Sequence, residues 1–109
     1  MTSATARRPE PVAVRRWGEL RGERKLASAL RVLVAGQSVG GAERTADGRW
    51  GAYWYTAGCR DRYTDHGTAE DAVATVVASG LARKLGARSG STVYWSDLAR
   101  RTARRGGGR

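Results

Sequence analysis

The residues of this chain that most plainly carry chemistry are its arginines. Eighteen of the 20 Lys+Arg positions are Arg, against 10 Asp+Glu, which leaves a formal net charge of +10. The planar guanidinium binds phosphate oxygens in a fork, so this residue type points to phosphate recognition. A GC-rich coding sequence also favours Arg over Lys, but it encodes acids too and does not produce the charge excess. An excess of this size calls for a polyanionic partner, of which nucleic acid is the commonest. Two groups of arginines stand out. Arg44, Arg49, Arg60 and Arg62 surround the aromatic stretch of Trp50, Tyr53, Trp54, Tyr55 and Tyr63, and Arg100, Arg101, Arg104 and Arg105 crowd the C-terminal end.

Catalytic groups are sparse. His66 is the single histidine and stands beside Asp65, but neighbours on a strand point to opposite faces. Cys59 and His66 offer a thiol and a base without a third group to orient them. The run Val34-Ala35-Gly36-Gln37-Ser38-Val39-Gly40-Gly41 has the glycines of a phosphate loop but not its GK[ST] ending. A lone cysteine excludes an internal disulfide framework and a cysteine-built zinc site. The expectation is a protein that is not an enzyme and needs no cofactor or metal.

A length of 109 residues suits a single domain. No apolar run approaches the ~18 residues of a membrane helix. The first 14 residues, interrupted by Arg7, Arg8, Pro9 and Pro11, contain no signal core. A cytoplasmic protein without membrane contact is expected. Large aliphatics are few, with Ile and Phe absent, so the core must lean on the aromatic stretch.

The elements that would position these residues follow from periodicity and turn chemistry. Residues 1–15, rich in Thr, Ala, Arg and Pro, read as a flexible arm, residues 16–98 as one small α+β domain, and 99–109 as a disordered basic tail. Leu26, Ala29, Leu30 and Leu33 recur at helical spacing, which predicts an N-terminal helix over 19–35 stopped by Gly36. Asp47-Gly48 is a hairpin signal between strands at 39–45 and 49–57. A short polar strand follows over 60–65. Thr68, with Asp71 three residues on, caps a helix predicted over 68–85. The fold expected is therefore an N-terminal helix, a three-stranded antiparallel sheet, a packing helix and a disordered basic tail.

Asp47-Gly48-Arg49-Trp50 places a tight turn before an inward Trp, and Gly67-Thr68-Ala69-Glu70-Asp71-Ala72 leads a turn into a capped helix. Residues 46–77 so resemble the arm-type, AP2-like DNA-binding domain of tyrosine recombinases, in which a three-stranded sheet lies in the major groove with one helix behind it. The third strand departs from that pattern through Asp61, Asp65 and His66. The resemblance implies nucleic-acid contacts from Arg44, Arg49, Tyr53, Tyr55, Arg60 and Arg62. The tail residues Arg100, Arg101, Arg104 and Arg105 would add electrostatic affinity.

The resulting expectation is a small DNA-binding accessory or regulatory protein of a bacterium, phage or mobile element. Three alternatives stand beside it. The aromatic sheet face is equally suited to a protein partner. Residues 26–46 have the outline of a helix-turn-helix. RNA is a possible ligand, since helix, three strands and helix is also the order of a double-stranded RNA-binding domain, although Glu70 and Asp71 are acidic where its phosphate would approach.

Overall fold

A computed structural model describes residues 9–17, 28–56 and 59–107, with 59–62 and 105–107 as backbone. The element order is β1 (Val12–Arg16), β2 (Ala29–Val34), β3 (Gln37–Arg44), β4 (Trp50–Thr56), β5 (Cys59–His66), α1 (Ala69–Val77), α2 (Gly80–Lys84), β6 (Val93–Trp95) and α3 (Asp97–Gly107). The strands form one six-stranded sheet in the order β5-β4-β3-β2-β1-β6. Neighbours from β1 to β5 run antiparallel, and β6 joins the far side of β1 in parallel. Among the described residues no helix is long and apolar enough to cross a membrane.

This architecture overturns the expected helix, three-stranded sheet and disordered tail. The described part of the predicted N-terminal helix is strand β2. Its residues Leu30, Val32 and Val34 are all fully buried, whereas Arg31 and Leu33 between them are only partly so. A short apolar run fits both periods, and the β-branched Val32 and Val34 tip it towards the strand. Residues 19–27 of that helix lie outside the described residues. Gly36 ends no helix. With Ala35 it forms the two-residue turn joining β2 to β3, and both have positive φ (54° and 79°), as a hairpin turn matching strand twist requires. The helix-turn-helix outline over 26–46 is thereby lost, since 29–34 and 37–44 are paired strands. The expected N-terminal arm also contributes a strand, because Val12–Arg16 is paired on both sides; residues 1–8 lie outside the described residues.

The β3–β4 hairpin closes over Thr45–Arg49, with Gly48 at φ 86°. Asp47 accepts hydrogen bonds from the Thr45 hydroxyl and from the Arg49 backbone N–H. Beyond it, β4 sends Trp50, Ala52 and Trp54 to one face, where Trp50 is 1% exposed. Helix α1 covers that face with Ala69, Ala72, Val73 and Val76. Thr68 caps it by accepting from the Asp71 N–H at 3.1 Å. The predicted long helix is in fact two. Ser79 caps α2 by accepting from the Ala82 N–H, and a Ser-Gly pair suits a cap better than a helix interior.

The C-terminal segment is the other large correction. Ser96 accepts from the Ala99 N–H at 3.0 Å and starts α3, whose Ala99 and Ala103 join the same core as Val12, Val14 and Leu30. Their spacing of four residues gives an otherwise arginine-rich segment one small apolar stripe. All three helices thus lie on one face of the sheet, and no described element covers the other.

Candidate nucleic-acid interface

Register pairing fixes which side chains share the open face, because directly paired residues point the same way. One row crosses five strands: Arg15, Arg31, Gly41, Tyr53 and Tyr63. Glycine at position 41 leaves room for the Tyr53 ring, whose hydroxyl lies 2.6 Å from where a Cβ would be. Tyr63 lies over Gly51 in the same manner and is 52% exposed. Tyr53 meets Tyr55 edge-on, with ring centroids 6.0 Å apart. The guanidinium of Arg31 sits 4.0 Å from the centre of the Trp17 ring, a cation–π contact. On β6, Tyr94 is paired with Ala13 and therefore shares this face; it is 62% exposed.

One described acid, Asp65, interrupts the face at its β5 side. Arg49 donates from Nε to Asp65 at 2.6 Å, so its charge is already answered within the protein. The Asp47 carboxyl at the turn before Arg49 is held below its ordinary pKa of 3.8, chiefly by the Thr45 hydroxyl and then by the Arg49 backbone N–H. His66, paired with Trp50 and so on the helix-covered side, lies within 2.7 Å of the Thr64 hydroxyl.

The second basic surface is the outer side of α3. Arg100, Arg101 and Arg104 are exposed there, and Ala99 and Ala103 hold the inner side against β1 and β2. Arg100 and Arg104 lie one turn apart on one row, and Arg101 lies on the adjacent row. Asp97, in the first turn, is the one acid of the helix.

The residues expected from sequence to form one site are distributed over opposite sides. Arg49, Tyr53 and Tyr55 are on the open face. Arg44 pairs with Trp50 and so belongs to the helix-covered side, where it is exposed at the end of β3. Arg60 and Arg62 pair with Tyr55 and Trp54 across a β-bulge, their side chains lying outside the described residues. Arg100, Arg101 and Arg104 are on α3, as is the backbone of Arg105, whose side chain is likewise outside the description. Sequence reasoning missed Arg15, Trp17, Arg31 and Tyr94. The alternation of Leu30, Val32 and Val34 was the available signal for the strand that brings Arg31 to this face. No family model, no curated protein and no solved structure matches the chain.

Proposed function

We propose that this protein binds duplex DNA through the arginine face of α3, as an accessory or regulatory factor. The observation that carries the reading is the ordered display of Arg100, Arg101 and Arg104 on a helix anchored by Ala99 and Ala103. A flexible tail with the same residues would lose more conformational entropy on binding. A helix about 10–12 Å across matches the ~12 Å width of the major groove. The sheet does not, since six strands at ~4.8 Å spacing span roughly 24 Å. The internal ion pair of Arg49 with Asp65 also makes that side of the sheet a weaker phosphate surface.

The test is duplex affinity of the full chain as a function of salt. Each phosphate contact contributes about 0.9 to the slope of log K against log salt. Replacing Arg100, Arg101 and Arg104 together by Gln should flatten the slope by roughly 2.7 if each contacts one phosphate. Circular dichroism would verify that the variant keeps its helices. An unchanged slope and affinity in the folded variant would refute the assignment.

A further inference from the structure

On the open face, a hollow of about 430 Å³ lies at the β6–β1–β2 end of the sheet. Ala13 forms its floor. Register places Tyr94 on one side of Ala13 and Leu33 on the other, so a methyl group lies between an aromatic ring and an aliphatic side chain. Pro11 contributes a further apolar wall. That shape and chemistry suit a planar, largely apolar ring stacked against Tyr94.

Two residues further along β1, about 6.8 Å away, stands Arg15, which also borders the hollow. It is paired directly across from Arg31. Like charges opposite one another on a sheet repel. Arg31 leans on Trp17, and Arg15 has no ion pair among the described residues. An anion seated between the two guanidinium groups would relieve the repulsion. The local order is thus an aromatic-walled slot, then a pair of cations, then an indole.

We propose that this end of the sheet is a second, separate site that binds an unpaired nucleotide of a single strand. The base lies in the Ala13 hollow against Tyr94, and its phosphate lies on Arg15 and Arg31. A duplex cannot use the slot, because its bases are stacked within the helix, whereas single strands offer bases for stacking on exposed aromatic side chains. The +10 charge of the chain favours an anionic strand over an uncharged aromatic ligand. The proposal relies on nucleic acid as the ligand class but not on α3, so the two assignments fail separately.

The experiment measures binding of the full chain to fluorescein-labelled oligo(dT) and, in parallel, to a labelled duplex. Two variants probe the hollow. Tyr94→Ala removes the stacking wall from a largely exposed position, and Ala13→Leu fills the floor without changing charge. Each should weaken oligo(dT) binding about tenfold, the scale of one lost base–aromatic stack, and leave duplex affinity within about twofold. The α3 triple Gln variant should show the reverse preference. Arg15→Gln should flatten the salt dependence for the single strand alone. Thermal melts establish that each variant is folded. Wild-type oligo(dT) affinity in both hollow variants would overturn the proposal, as would equal losses for single strand and duplex. Failure of the wild-type chain to bind oligo(dT) would do the same. Displacement of oligo(dT) by dTMP at equal nucleotide concentration would reassign the hollow to free nucleotides and reject the strand.

Discussion

Replacing Gly40 by alanine puts a methyl group where the neighbouring strand already is. Its Cβ would lie 2.2 Å from the Tyr53 carbonyl oxygen and 2.7 Å from the Trp54 Cα, with the Val76 side chain at 3.0 Å. The two nearest atoms are backbone of β4, so relief requires β3 and β4 to move apart in the middle of the sheet. Gly51→Ala meets a closer contact of a different kind. The Tyr63 hydroxyl would be at 1.8 Å, but the three nearest atoms all belong to one half-exposed ring. That ring can swing into solvent at a cost of roughly 1 kcal/mol in lost contacts. The alanine recovers about 0.4–1 kcal/mol by restricting the unfolded chain. Gly51→Ala should therefore be nearly neutral. Gly40→Ala should cost about 3 kcal/mol or more, the upper range for overpacking a site that cannot yield. In a domain of this size that lowers the melting temperature on the order of 15 °C. Urea unfolding followed by tryptophan fluorescence measures both. Equal destabilisation by the two substitutions, or tolerance of Gly40→Ala within about 1 kcal/mol, would refute the reasoning.

Three other substitutions probe separate parts of the fold. Trp50→Ala empties the largest fully buried side chain beneath α1 and should cost ~3–5 kcal/mol in chemical denaturation. Ala35→Asn replaces a left-handed alanine at the β2–β3 turn with the residue that turn prefers, and should raise stability by about 1 kcal/mol in the same assay. Asp47 has a folded pKa below its ordinary 3.8, so its contribution is fully present above that value. It is lost as the pH falls through the lowered folded value. Asp47→Ala should abolish that step, and the stability difference from wild type, followed by denaturation across the acid range, should shrink below pH 3.8.

The legible parts of the sequence were those with local causes. Asp47-Gly48 marks a turn by its own backbone preferences, the alternation of Trp50, Ala52 and Trp54 sorts β4 by face, and Thr68 caps a helix through a neighbour three residues away. The misread parts depend on distant contacts. Ala29 to Val34 fits a helix as well as a strand until Gln37–Arg44 and Val12–Arg16 pair with it on either side. Gly40 and Gly41 weaken a strand in isolation, yet in the sheet they admit a close neighbouring backbone and the Tyr53 ring. The α3 segment reads as a tail by charge, although Arg is a good helix former and Ala99 with Ala103 supplies a stripe. The open-face cluster was invisible for the same reason. Arg15, Arg31 and Tyr94 become neighbours only through pairing across β1, β2 and β6.

The parallel joining of β6 to β1 sets an order of events in folding. The β2–β5 meander and α1 connect segments close in sequence, so they can assemble before the distant β6 is recruited. Strand β1 can pair with β2 at that stage, but its other edge stays open until Val93–Trp95 dock against it. Until then the Val12 N–H lacks the Thr92 carbonyl, and the inner side of α3 has not yet docked. For as long as β6 has not docked, the chain exposes a valine-bearing sheet edge. This is the interval in which intermolecular strand pairing competes with folding.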